Sequence, residues 1–222
     1  MIFDDVLELA RSVSQFTIAG EGNVSVRDGD AMLIKASGST LETMTDDDLV
    51  RCDLDGNAFE GEEKKPSMEV SFHAWILKTF PEINCVCHTH PTNTIKILCS
   101  GRIRDFANKR LFPDQVVRNG TKSCIVPYAT PGAPLREEIK KSVEEFIGRN
   151  GYFPKLILLK NHGIITASAS IQEATVSTLM CEKSAEIYIG AKMLNIIQFL
   201  TPEEVAAVDT NPSEKYRREL YK

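Results

Sequence analysis

No apolar stretch among the 222 residues approaches the ~20 needed for a membrane-spanning helix, and no basic run lies on a candidate helix face. Lys and Arg number 26 against 31 Asp and Glu, a net charge of −5, so no positive field recruits nucleic acid or an anionic membrane. A small-molecule substrate is the class that remains. The start, Met1-Ile2-Phe3-Asp4-Asp5, lacks the basic-then-apolar layout of a signal peptide. Six cysteines (Cys52, Cys85, Cys87, Cys99, Cys124 and Cys181) are scattered rather than spaced as a disulfide framework. These absences predict a soluble, cytoplasmic protein with reduced thiols. Internal repeats and low-complexity linkers are also missing, and 42% hydrophobic residues suffice for the core of a single domain of this length.

Histidine is scarce: His73, His88, His90 and His162 are the only four. Two of them close the stretch Ile83-Asn84-Cys85-Val86-Cys87-His88-Thr89-His90-Pro91, which reads as a strand stopped by Pro91. Strand alternation puts His88 and His90 on one face about 7 Å apart along the backbone, with Thr89 on the other. Such a pair can grip one metal ion, or it can be two hydrogen-bonded structural residues. The same alternation turns Cys85 and Cys87 to the opposite face, where they read as small core residues rather than zinc ligands. His162 follows a second apolar run, Leu156-Ile157-Leu158-Leu159, with Gly163 read as permitting a sharp turn.

Taken in order, the apolar stripe of Phe3, Val6, Leu7, Leu9, Ala10, Val13 and Phe16 predicts a helix over 3–16. A Gly-rich loop, Gly20-Glu21-Gly22, enters a hairpin whose strands flank Asp28-Gly29-Asp30 and end at Lys35. Ala36-Ser37-Gly38-Ser39-Thr40 has the composition either of an ordinary turn or of a loop presenting N–H groups and hydroxyls to an anion. A capped turn at 45–48 and a strand over 49–54 follow. A helix over 66–80 would carry Glu69 in its first turn, where the helix dipole favours a carboxylate, with His73 one turn on as its hydrogen-bond partner, as a core residue or, in the spacing Glu-x-x-x-His, as the second half of a metal pair. Further helices are predicted over 92–99, 135–147, 171–193, 202–207 and 213–220, and a short strand over 124–127. Residues 101–120 show no regular pattern.

Gly22-Asn23-Val24-Ser25, Ser37-Gly38, Pro66-Ser67-Met68-Glu69, His88-Thr89-His90, Pro127-Tyr128-Ala129-Thr130-Pro131-Gly132 and Asn161-His162-Gly163 occur in one order over residues 3 to 195. Together they resemble the class II aldolase/adducin superfamily, of the L-fuculose-1-phosphate aldolase type. The resemblance implies an α/β fold: one domain over 1–222, a central, mainly antiparallel sheet flanked by helices, and a C-terminal tail, 200–222, able to cover the active site. Element order alone leaves a doubly wound sheet open. The resemblance also implies a divalent metal, zinc, on His88, His90 and His162. Glu69 would be the catalytic acid/base, touching the metal in the empty enzyme. Asn23, Ser37, Gly38 and Ser67 would hold a substrate phosphate. The family's cyclic homotetramer, with sites between subunits, brings in a tail aromatic, here Tyr216 or Tyr221. This chain departs from the family at Met68, where fuculose-phosphate aldolases have a second serine, at Lys35 beside the small-residue loop, and around Leu111-Phe112-Pro113, which offers no tyrosine.

The implied chemistry is retro-aldol cleavage of a ketose, as its 1-phosphate, through a metal-stabilised enediolate whose proton Glu69 moves. A sugar-phosphate 4-epimerase or dehydratase would use the same ligands. A non-enzymatic, adducin-like interaction module predicts lost ligands, whereas all three are present. A Schiff-base mechanism at Lys160 would leave the histidines unexplained.

Overall fold

In the computed structural model, which describes residues 2–195 and 197–220, α1 (Ile2–Val13) buries Val6, Leu7, Leu9, Ala10 and Val13 on one stripe. The last turn of the predicted helix is a separate 3-10 turn, Ser14–Phe16. The hairpin pairs β1 (Asn23–Asp28) with β2 (Ala31–Lys35), Asp28 opposite Ala31, and Gly29 takes a positive φ of 60° between them. Thr45 and Asp48 form a capping box over the short turn that enters β3 (Leu49–Asp53).

The next helix, α2 (Val70–Thr79), begins later than the predicted 66–80. Pro66 instead bridges to Ala36, and the Ser67 amide bonds the Lys35 carbonyl, so this segment is held against the end of β2. Glu69 is therefore the N-cap residue rather than a member of the first turn. After β4 (Cys85–Thr89) and α3 (Thr92–Leu98), the stretch without a sequence pattern folds as α4 (Ile103–Asn108) and α5 (Pro113–Asn119). Its organiser is Arg110, 1% exposed, whose guanidinium bonds the carbonyls of Phe106, Ala107, Lys109 and Gly120 and the Ser123 hydroxyl.

Then come β5 (Cys124–Val126), α6 (Ala133–Asn150), β6 (Leu156–Leu159), β7 (Ile164–Ser168) and α7 (Ile171–Met193). The strand β7 was not among the predicted elements. The C-terminal segment forms α8 (Pro202–Thr210), capped by Thr201, and α9 (Pro212–Glu219). Both pack on α5. No helix among the described residues is long and apolar enough to cross a membrane.

The strands form one seven-stranded sheet in the order β3-β2-β1-β4-β7-β6-β5, antiparallel throughout except for the parallel β5–β6 pair. Helices cover both faces. On one, α2 and α6 bury Phe72, Ile76, Ile139 and Val143 against Ile34, Val86 and Ile165. On the other, α1 packs on Val24, Leu33, Cys85 and Cys87, and α3, α4 and α7 pack on Leu158 and Ile164. Alternation along β4 thus sends Val86 to the α2 face and both cysteines to the α1 face, as free buried thiols. Central β4 lies between β1 and β7, and its end sets the position of everything below.

Candidate active site

His88 is the fourth residue of β4 and His90 follows its end; across the sheet, the turn between β6 and β7 carries His162. The three rings converge, with centroids 4.8, 4.9 and 5.1 Å apart. Close approach depends on Gly163, though not through its dihedrals: the positive φ in this turn is at Asn161, at 56°. A Cβ on Gly163 would stand 2.5 Å from both His90 Cδ2 and the Thr89 carbonyl, so glycine is required here for room. This corrects the sharp-turn reading.

His88, fully buried, places Nδ1 2.8 Å from the Ile164 carbonyl, which fixes the proton on Nδ1 and turns the Nε2 lone pair inward. Its Nε2 lies 3.0 Å from His90 Nε2 and 3.3 Å from Glu69 Oε2. His162 Nε2 lies 3.6 Å from Glu69 Oε1.

His73 stands outside this cluster. Its Nε2 lies 2.5 Å from Asn23 Oδ1 and its Nδ1 2.7 Å from Ser25 Oγ, while Asn23 Nδ2 donates to Glu69 Oε2 at 2.8 Å. The amide can only donate to the carboxylate, so its oxygen accepts from His73 Nε2–H, and Nδ1 accepts from Ser25. The chain Ser25–His73–Asn23–Glu69 is a clamp that aims the carboxylate. The Glu69–His73 spacing seen in the sequence therefore serves this clamp and not a metal pair.

Burial lowers all four imidazole pKa values, His73 to about 3 and His90 to about 4, so the rings are neutral at pH 7. Burial raises that of Glu69, but the adjacent His88 and the Asn23 amide outweigh it and leave the carboxyl below its usual range. Glu69 is 8% exposed, yet among the described residues its Oε1 has no hydrogen-bond partner. Three neutral imidazoles whose nitrogens lie within 4.8 Å of one another, beside an orphaned carboxylate oxygen, are a donor set suited to one divalent ion.

The cluster opens on a cleft of about 220 Å³ that Asn23, Ser37, Gly38 and Ser67 all line. The structure thus brings together the four residues expected at a phosphate, although both ends of the Asn23 amide are already engaged. Lys35, on the same cleft, is 2% exposed, and its Nζ donates to the Gly20 and Ala36 carbonyls. Burial lowers its pKa against the opposing pull of Asp48 and Glu69. Cavities of about 740 and 460 Å³ elsewhere are larger, but neither contains a histidine. Tyr216 does not line the cleft of its own chain and is 63% exposed, and Tyr221 lies outside the described residues. Glu21 also lines the cleft and was not singled out from sequence, whereas His73, weighed there as a hydrogen-bond partner of Glu69, reaches it instead through Asn23. Glu21 between two glycines was the available signal.

A model of the Class II Aldolase and Adducin N-terminal domain matches residues 5–189. The chain belongs to this family. Among class II aldolase relatives, the 3-oxo-tetronate 4-phosphate decarboxylase of Haemophilus influenzae is 29% identical over 204 residues, 90% of this chain and 92% of its own. An L-fuculose phosphate aldolase of Methanococcus maripaludis is 30% identical over 174 residues, 78% of this chain and 87% of its own. Among solved structures, an L-fuculose 1-phosphate aldolase, 25% identical, superposes with a TM-score of 0.81 over 97% of this chain and 96% of its own. Class II aldolases use a divalent metal, and the three-histidine cluster is where this chain can hold one.

Proposed function

We propose that the protein is a metal-dependent, zinc-type aldolase cleaving a ketose 1-phosphate, with His88, His90 and His162 as ligands and Glu69 as the acid/base. The observation that carries this reading is the orphaned Glu69 Oε1 facing the convergent imidazoles. An ion bound there would polarise the substrate carbonyl and stabilise the negative charge left when the neighbouring bond breaks. Glu69 then holds or returns the proton at the adjacent carbon through Oε1, because Oε2 is occupied by the Asn23 amide. Met68, 76% exposed, sits on the cleft rim. The substrate's anionic end would be held by Ser37, Gly38 and Ser67, with Asn23 beneath and Lys35 supplying the charge that hydroxyls lack. The exposed apolar side chains of Met68 on the cleft rim and of Ile18 on the loop that holds Glu21 support a site covered in a homotetramer, a neighbour's tail aromatic, Tyr216 or Tyr221, completing it.

Loss of CO2 from a 2-hydroxy-3-oxo acid phosphate leaves the same kind of carbanion beside a carbonyl, and the similarity to the decarboxylase over 90% of the chain supports this as the second reading. Metal-loaded protein should therefore be offered ketose phosphates, unphosphorylated ketoses and 3-oxo acid phosphates, with coupled aldehyde detection and CO2 measurement. Aldehyde release from a ketose phosphate is the expected result. CO2 release without aldehyde would transfer the assignment to the decarboxylase, and an active metal-free protein would end both.

A further inference from the structure

Each of the three cluster imidazoles has an outer ring nitrogen, and these nitrogens differ in what they meet. That of His88 bonds the Ile164 carbonyl, and that of His162 is buried without a partner among the described residues. That of His90 faces a carboxylate: Nδ1 stands 3.6 Å from Glu21 Oε2.

The carboxylate is held there by its own loop. The Ile18 amide donates to Glu21 Oε2 at 3.0 Å, and the Glu21 amide donates to the Ile18 carbonyl at 3.1 Å, closing residues 18–21 on themselves. Ala19 takes a positive φ of 53° to allow it. The loop is tied to the histidine strand at both ends. The His90 amide donates to the Phe16 carbonyl at 3.2 Å, and Gly22, at φ 68°, lies so close that a Cβ would stand 2.8 Å from the His88 carbonyl. A strained non-glycine residue and an obligatory glycine thus bracket one acidic side chain facing one imidazole.

The tautomers explain why the Glu21–His90 contact is open. With its proton on Nδ1, His88 offers a lone pair at Nε2, and His90 Nε2 lies 3.0 Å away. Without an ion, His90 must donate Nε2–H across that gap, since two facing lone pairs would repel. Its Nδ1 then bears a lone pair toward Glu21, and 3.6 Å is longer than a hydrogen bond. Were Nε2 to give its lone pair to an ion, the proton would sit on Nδ1, the ring staying neutral, and the facing carboxylate would be its acceptor.

We propose that Glu21 is a positioning residue for the metal site: it accepts the Nδ1 proton of His90 when Nε2 is given to the ion, fixing the tautomer and the ring orientation. The proposal rests on the metal reading above. Outer partners of this kind contribute about 10–100-fold to metal affinity.

Zinc affinity measured by competition with a chromophoric chelator tests it, alongside 15N chemical shifts of His90 with and without zinc. Glu21→Ala should weaken zinc about 10–100-fold while the metal-free protein still unfolds cooperatively, its melting temperature lowered at most by the loss of the Ile18 amide's acceptor. Glu21→Gln, which keeps an accepting oxygen, should recover most of the loss. In the wild type, zinc should move the His90 proton from Nε2 to Nδ1. Affinity of Glu21→Ala within twofold of the wild type, or a His90 proton already on Nδ1 without zinc, would overturn the proposal. If Glu21→Ala does not fold, Glu21→Gln and the wild-type shifts decide. If the wild type binds no zinc, or His90→Ala binds it unimpaired, the metal reading itself fails.

Discussion

Glu69 has one carboxylate oxygen engaged and one free, and the two invite different chemistry. Oε2 accepts from Asn23, whereas Oε1 faces His162 with no hydrogen bond of its own. Glu69→Gln keeps the shape and lets the amide oxygen accept from Asn23, so the clamp survives while the proton carrier is removed. Turnover should fall by roughly 10²-fold or more with zinc retained on three imidazoles. Near-normal turnover at full zinc occupancy would reduce Glu69 to a helix-capping residue. The convergence of the histidines was legible in the sequence because strand alternation is rigid: it put His88 and His90 on one face and Cys85 and Cys87 on the other, as found. The need for Gly163 was legible and its cause was not, since what a Cβ would strike belongs to another strand. Glu21 drew no attention in the sequence for a different reason: a loop path closed by its own side chain has no period to read.

At the scale of elements, α7 and β2 were legible to the residue, and the hairpin was legible as a hairpin, although Asp28, read as part of the turn, closes β1. Residues 101–120 were not, because α4 and α5 are short and the organising Arg110 is a buried cation, which no apolar pattern announces. The start of α2 was misplaced because the bridge from Pro66 to Ala36 and the Ser67 amide's bond to Lys35 outweigh helix propensity there. The seam between α2 and β1 runs through His73, and it carries a pH dependence with a definite sign. The folded pKa of His73, about 3, lies below the ordinary value of about 6.5, so the unfolded chain binds the extra proton. The stability tied to a neutral His73 is complete above pH 6.5 or so and is lost as pH falls toward 3. Between pH 7 and pH 5 this one group should cost about 2 kcal/mol. Urea unfolding of metal-free protein at both pH values should show His73→Gln losing less stability than the wild type by about that amount. Parallel losses would mean that His73 already carries a proton in the folded state.

For the whole molecule, the question is what closes a cleft that its own chain leaves open. The C-terminal segment is not a loose strap. It is two helices on α5, held by the Arg217–Asp114 and Arg218–Asp209 ion pairs at 3.1 and 2.8 Å. No residue of α9 is buried, and exposed ion pairs contribute about 0–1 kcal/mol, so truncation after Asn211 should preserve folding, zinc content and assembly. If the tail serves a neighbour's site, turnover should nevertheless fall. Hybrids separate that from a tail acting within its own chain. The truncated chain supplies Glu69 without a tail, and Glu69→Gln supplies a tail without the acid/base, so each alone should be nearly inactive. Refolded together, they should form tetramers by light scattering in which about one quarter of sites pair an intact Glu69 with a neighbour's intact tail, and activity should return to that extent. Hybrids as inactive as their parents would exclude a shared site. An active monomer would exclude the tetramer, and a truncated chain with undiminished turnover would free the tail from catalysis.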